Sequence, residues 1–491
     1  MQITRYAASA FAAAALAGAP TLAHAQTQAS PPTANSGDIA SLRHDMDAMK
    51  QDYEARINAL ETRLEQAEAE AAAAQSAANA AQASSAQASA GAPAGPATPG
   101  AAPADQTASA AAPVAVASAD QGYSAPPAAA AGPTSQNLYN PGIAVALNGL
   151  FTAASHNTGA SERISGFAAG SDIAHPARGF SLGESEVSFS ANIDPSLAGF
   201  MDFSINDQDQ LSLEEAYVRT TDLPAGFTVK AGRFLSGIGY INERHAHDWS
   251  FANASLPYRA FLDNQFADDG VQVRWIAPTD QFLEFGAEAF GGDNYPASGR
   301  ANNGVGAYSA FVHTGSDIDA SSSYLAALSY LHTRAINRQD ASGDLFTGDS
   351  ELGIASLVYK WAPEGNPLVH NLVLAGEYFY GRDNGRFNGV SIDQAHQGWY
   401  AQGVYQFMPQ WSVGLRASGV SSDAAPLALA GTEIDDMGHN PFELTALLEY
   451  DTSEFGRIRV QYSHDEASTT SNDVVMMQYT VIYGPHGAHR Y

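Results

Sequence analysis

Two histidines two residues apart, His245 and His247, stand between Glu243 and Asp248. Imidazole and carboxylate together make a donor set for a borderline divalent cation such as zinc. In an aromatic-rich segment the same spacing also serves as a hydrogen-bonding element, and the sequence leaves both readings open. Zero cysteines in 491 residues exclude disulfides, cysteine-ligated zinc or iron–sulfur sites, and thiol nucleophiles. Serine and histidine lie close in sequence at Ser329 and His332 and at Ser463 and His464. Adjacent strand residues point to opposite faces, so Ser463 and His464 cannot act as a catalytic pair. No Gly-x-Ser-x-Gly run sits in a strand–turn–helix context. The expectation is a non-enzyme without a resident cofactor, the histidine set leaving zinc open as an ion it could meet.

What must position those histidines is a loop. It runs from Ser236 to Asp268 and carries Glu243, Arg244, His245, His247, Asp248, Arg259, Asp263 and Asp268 among Trp249, Phe251, Leu256, Tyr258, Phe261 and Phe266. A loop bathed only in solvent has no use for so many aromatics, so part of it should pack against a wall. It is expected to fold inward as a constriction, the alternative being a surface lid held between protomers.

The wall comes from the segment Leu138 to Tyr491, where apolar and polar residues alternate with period two between turn signals. Sixteen strands are expected at 143–155, 178–193, 197–207, 211–221, 226–235, 269–277, 281–291, 306–315, 322–335, 350–362, 368–383, 397–408, 411–421, 441–452, 455–466 and 472–484. From the second strand on, every second connection is a tight turn such as Asp194-Pro195-Ser196 or Pro409-Gln410. The intervening ones are mostly long, at 156–177, 236–268, 292–305, 336–349, 384–396 and 422–440. Loop lengths segregated by end are the mark of an outer-membrane barrel, with short periplasmic turns and long outer loops.

Parity points the same way. In 184–193, Glu184, Glu186, Ser188, Ser190 and Asn192 share one face and Val187, Phe189, Ala191 and Ile193 the other. An apolar face turned to lipid and a polar face lining water explain both. Inward parity falls on Glu184, Glu186, Asp202, Glu215, Glu284, Glu288, Glu377, Glu443, Glu449 and Asp451, and on Arg219, Lys230, Arg274, Lys360, Arg416, Arg457 and Arg459. Sixteen strands leave an aqueous lumen rather than a core filled with side chains. The expected architecture is an all-β transmembrane barrel of about sixteen antiparallel strands whose third outer loop folds inward, and the expected function is permeation.

Charge narrows the solute. The chain has 52 acidic residues against 23 Lys plus Arg, a net charge of -29, which argues against nucleic acid as a partner. Eleven of the acids and five of the bases precede Leu138, leaving the barrel segment 41 against 18. Its lumen should therefore favour cations.

Upstream, Arg5, the apolar run Ala7 to Leu16 and Ala23-His24-Ala25 read as a signal peptide over residues 1–25. A short linker, 26–37, follows. Residues 38–74 carry an apolar seam through Ile39, Leu42, Met46, Met49, Tyr53, Ile57, Leu60 and Leu64, the pattern of a short periplasmic coiled coil or of a lone solvated helix. Residues 75–137 are Ala/Pro-rich and too poor in large apolar side chains to form a core. A coiled coil ahead of a barrel also fits a structural tether between outer membrane and cell wall. Deleting 30–136 separates the two, because a channel keeps its conductance and a tether loses envelope integrity.

The run Val229-Lys230-Ala231-Gly232-Arg233-Phe234-Leu235-Ser236-Gly237-Ile238-Gly239-Tyr240, with Glu214-Glu215-Ala216-Tyr217 before it, resembles the Gly-Arg-Phe and Glu-Ala-Tyr hallmarks of phosphate-selective-porin-like families. Asn242 to Trp249, Pro257 to Leu262, Asp268 to Gln272 and Gly487-Ala488-His489 resemble a proteobacterial family labelled zinc-regulated outer-membrane receptor or simply porin. This resemblance implies a Gram-negative outer-membrane channel, a homotrimer in lipid passing small hydrophilic solutes or ions, and a tie to zinc supply. Phosphate selectivity does not transfer, since the lumen lacks a Lys/Arg ladder, and a plug-type receptor would need a plug domain and about 22 strands.

Overall fold

The structure, a computed structural model, describes residues 141–156, 162–206, 210–298 and 304–484. The leader, coiled coil and linker expected before Leu138, and the tail with His486 and His489, lie outside the described residues.

Alternation becomes architecture directly. In β1 (Gly142–Ala154), Ala144, Ala146, Asn148, Leu150 and Thr152 are buried while Ile143 and Leu147 are exposed. Strand after strand repeats the pattern: β2 (Gly179–Leu182), β3 (Ser185–Asp194), β4 (Leu197–Ile205), β5 (Leu211–Thr220), β6 (Phe227–Leu235), β7 (Ala267–Ile276), β8 (Phe282–Phe290), β9 (Ala307–Asp319), β10 (Ser322–Gln339), β11 (Leu345–Trp361), β12 (Asn371–Phe387), β13 (Val390–Met408), β14 (Trp411–Ser422), β15 (Phe442–Ser453), β16 (Gly456–Glu466) and β17 (Asn472–Tyr483). Both β2 and β3 pair with β1, so they are two halves of one stave broken at Gly183 and Glu184. From β3 each strand pairs antiparallel with the next, and β17 returns to β1 over Val145 to Ala154. The described strands thus form a closed sixteen-stave antiparallel barrel, which leaves no sheet edge unpaired.

The exposed outer face carries Val271, Val273, Phe285, Leu328, Leu357, Leu374, Val413, Leu415, Leu444, Leu448, Val460 and Met477, with Tyr378, Trp399, Tyr405, Tyr462 and Tyr479 among them. An apolar band of this extent on a closed barrel is a lipid-facing surface. No described helix is long and apolar enough to cross a membrane.

Two expected outer loops are corrected. Segments 336–349 and 384–396 are largely strand, because β10 to β13 run 17 to 19 residues each. That exceeds the roughly 9–11 residues a tilted strand needs to span the hydrocarbon, so these hairpins project beyond it. Cross-strand charge pairs hold the projections: Arg334 to Asp349 at 3.0 Å and Arg382 to Asp393 at 2.6 Å. Asn388 and Gly389, both at positive φ, close the second hairpin as a two-residue turn.

Candidate functional site: the loop that crosses the lumen

The connection between β6 and β7 enters the barrel and reaches the opposite wall. Its path starts at a glycine pair. The Gly237 amide donates to Glu288 at 2.9 Å, and the Gly239 amide donates to Ser329 Oγ at 3.1 Å. Gly239 has a φ of +67°, and a Cβ there would lie 2.3 Å from the Tyr258 hydroxyl. Only glycine serves both the left-handed turn and the close approach.

Past this turn the Tyr240 amide donates to Glu377 at 2.8 Å, and Arg244 lies over the Tyr240 ring. After a 3-10 turn at Ala246–Asp248, the α-helix α1 (Leu256–Leu262) begins with Pro257 in its first turn and ends at Asp263 in the left-handed conformation. All seven of its residues are buried, as suits a short helix surrounded by protein. Trp249, Phe251, Leu256, Tyr258, Phe261 and Phe266 are buried too, several in one apolar cluster with Phe234, Phe290 and Phe379 of the wall.

Polar contacts complete the crossing. The Arg457 guanidinium donates to the His247 carbonyl, and Arg459 donates to that of Trp249. Arg416 donates to the Asn253 carbonyl at 2.7 Å and to Glu443 at 3.1 Å. Arg259, on α1, pairs with Glu162, with Glu443 at 3.3 Å and with Asp465 at 3.0 Å. His175 joins that group through Asp465 at 2.7 Å. Burial and Arg259 would lower the His175 imidazole, but Glu162 and Asp465 hold it above the usual value.

Glu162 and His175 belong to the first outer connection, whose Ile164, Phe167 and Ile173 join the apolar cluster inside. Sequence reasoning placed no site residue in that connection. Its isolated Phe and Ile residues among small polar ones were the signal. With two connections inside, the side chains at this level are dry: Arg274, Arg459, Gln461 and Glu443 are at most 1% exposed. The continuous water column expected along the lumen is interrupted here. Beside Glu243 and His313 a cavity of about 20 Å³ remains, and beside Arg338 and His396 one of about 40 Å³, room for one to a few waters.

The expected inward residues sit as follows. Glu243 pairs with Arg274 and, at 3.6 Å, with Lys230, away from the histidines. Arg274 also meets Glu284 at 3.3 Å, and Glu288 receives Ser236 and Gln272. Glu449 holds Arg459 at 2.6 Å, with Arg457 at 4.0 Å. Asp263 accepts the Asp172 amide at 2.9 Å. Burial first, and the Asp172 carboxylate second, push the Asp263 carboxyl up to about 7.

The histidines meet the wall at β3 to β5. His247 Nδ1 lies 2.8 Å from Glu186, and its Nε2 lies 3.6 Å from Asp248. His245 Nδ1 faces Glu186 at 3.2 Å and Glu214 at 3.3 Å, while Nε2 faces Glu215 at 3.1 Å. Burial alone would lower the His245 imidazole, but Glu186, with Glu214 and Glu215, holds it well above the usual histidine value. Glu214 has no place in a strict alternation. A β-bulge opposite Asp202 and Phe203 turns both Glu214 and Glu215 inward; the Glu-Glu dipeptide in a strand was its only sequence signal. The group whose donor atoms converge is therefore Glu186, Asp202, Glu214 and His245, rather than the loop-only set of His245, His247, Glu243 and Asp248.

The serine–histidine neighbours part company. Ser463 bonds Thr445 inside at 3.0 Å while His464 faces out to Asp473 at 2.7 Å. Ser329 receives the Gly239 amide, and His332 stacks on Tyr308.

No family model matches the sequence. An uncharacterized protein of Aquifex aeolicus (strain VF5) is 31% identical over 343 residues, covering 64% of this chain and 70% of that protein. The chain belongs to the same family as this protein. Among solved structures, a loop-deletion mutant of the Vibrio cholerae outer membrane protein OmpT is similar with a TM-score of 0.47 at 10% identity, over 70% of this chain and 99% of that one. An anion-selective porin from Comamonas acidovorans has a TM-score of 0.46 at 9% identity, over 70% and 99%. The outer membrane channel DcaP of Acinetobacter baumannii has a TM-score of 0.46 at 11% identity, over 70% and 97%.

Proposed function

We propose that this chain is a Gram-negative outer-membrane channel for passive diffusion of small hydrophilic solutes, preferring cations. The observation that carries the reading is a closed sixteen-stave barrel with an apolar exterior and a charged interior, crossed by one of its own loops. An enclosed polar interior serves no purpose for a barrel that only anchors in lipid, whereas it lowers the barrier to hydrated solutes. The cation preference draws support from the excess of 41 acidic over 18 basic residues from Leu138 onward and from the carboxylates gathered at β3 to β5. A homotrimer, and a link to zinc or another divalent metal, are part of the proposal through the sequence resemblance.

Permeation at the loop is narrow. Solutes pass only as far as Arg259, Tyr240, His247 and their wall partners leave or yield space, so size exclusion acts there and charge selection acts with it. Reconstitution in planar bilayers tests this reading. Discrete conductance steps smaller than those of a loop-deleted variant (243–262 removed) are expected, and absence of steps from both proteins would overturn it.

A further inference from the structure

We propose that Glu186, Asp202, Glu214 and His245 form a binding site for one divalent transition-metal ion, which ties the constriction loop to the barrel wall. This inference deepens the channel reading and rests on it only for the consequence, not for the site.

Four donor atoms, one from each residue, lie within 4.8 Å of one another. Ligands around an ion at about 2.0–2.2 Å stand roughly 3.3–4.4 Å apart, so small side-chain rotations close the shell. Glu186, Asp202 and His245 are nearly fully buried. Oδ1 of Asp202 is buried with no hydrogen-bond partner among the described residues, while Oε2 of Glu186 has only the His245 imidazole, at 3.2 Å. A buried carboxylate oxygen without a donor is costly, and native proteins satisfy it with a proton, a water or a cation.

Charge balance points to the cation. Glu184 and Glu215 border the same group, so five carboxyls meet two imidazoles, His245 and His247. The second inward cluster shows the contrast: there Glu162, Glu443 and Asp465 are met by the Arg259 guanidinium. Among the described residues, the basic side chains in ion-pair contact with these carboxyls are His245 and His247, with Lys230 acting on Glu215 from farther off. A dication would supply the missing charge, and an imidazole nitrogen among carboxylate oxygens suits zinc-like ions better than magnesium or calcium. Because His245 comes from the loop and the three carboxylates from β3, β4 and β5, binding would cross-link two elements that otherwise meet through ion pairs and apolar packing.

The test uses the full mature chain without an affinity tag, in detergent, stripped with a chelator. Titration calorimetry with zinc chloride should show one site per chain. Asp202→Asn and Glu214→Gln should each weaken it by about tenfold or more, and Asp269→Asn on the outer rim should leave it unchanged. Absence of a one-to-one site, equal binding of calcium, or wild-type affinity in both variants would overturn the proposal. Zinc-edge absorption on the wild type needs no variant to fold: one imidazole with oxygen ligands supports the site, and an all-oxygen or several-imidazole shell overturns it. Bilayer conductance of the stripped protein is read separately. Steps without zinc binding sink the site and keep the channel, whereas zinc binding without steps does the reverse.

Discussion

Arg259 is the residue on which the loop's far anchorage turns. Three buried carboxylates converge on its buried guanidinium. Replacing it, Arg259→Met, removes the shared cation and leaves the three carboxylates with Arg416 and His175 as basic partners, and breaking a buried pair in this way costs about 3–5 kcal/mol. The variant should show larger and noisier conductance steps than wild type and faster protease cleavage between residues 243 and 262. Unchanged recordings would mean that the apolar contacts alone hold the loop.

Asp263 adds a pH dependence of known sign. Its carboxyl is held up to about 7, chiefly by burial, against an ordinary value near 4. The docked loop therefore keeps a proton that the released loop gives up, so the contribution of Asp263 to docking is fully present below about pH 4 and is lost as pH rises toward about 7. Protease protection of the loop should fall over that range and then level off, and Asp263→Asn should flatten the profile. At this scale parity placed Glu186, Arg274, Arg416 and Arg459 on the inner face, since alternation is a property of the strand alone. Glu214 escaped it because a bulge inserts one residue, and Glu162 and His175 escaped it because they lie in a connection without alternation, where Ile164, Phe167 and Ile173 were the sparse sign of inward folding.

Among the elements, the glycine turn at the loop's root governs how the chain leaves the wall. A methyl group at Gly239 would meet the Tyr258 hydroxyl at 2.3 Å from a backbone of positive φ, so Gly239→Ala combines strain with collision. It should separate Tyr258 from the Ile241 amide, which lies 3.3 Å away. Greater exposure of the loop to protease, with the barrel's circular dichroism preserved, is the expected result. Wild-type protection would show that the turn bends freely. The long hairpins β10 to β13 carry the complementary lesson. Beyond the lipid the outer face turns polar, as at Arg334, Asp349, Arg382 and Asp393, while Ala335, Phe346, Phe387 and Ile392 are buried in an apolar cluster on the other face, so the apolar-out signal ends where the strand does not. The ladder continues because its hydrogen bonds and cross-strand ion pairs do not depend on which solvent surrounds it. Asn388-Gly389 was the local sign that a hairpin, not a loop, lay there.

For the molecule as a whole, closure and contents are separable. Closure follows from sixteen alternating stretches, and it was legible from residue order because each stave repeats the same two-faced pattern. Contents were legible in part: the aromatics of 236–268 marked that loop as inward-folding, but did not mark the first connection, which joins it in an apolar cluster and buried ion pairs inside the barrel. A barrel built this way separates solutes at one level, where the acidic wall of β3 to β5 stands three staves from the arginines of β16. The direct measurement is the reversal potential of the reconstituted protein across a planar bilayer with a tenfold potassium chloride gradient. A reversal potential displaced toward that of potassium, from steps that enlarge when residues 243–262 are removed, is the predicted result. Silence in both proteins, or displacement toward chloride, would contradict a cation-preferring channel gated by its own loop.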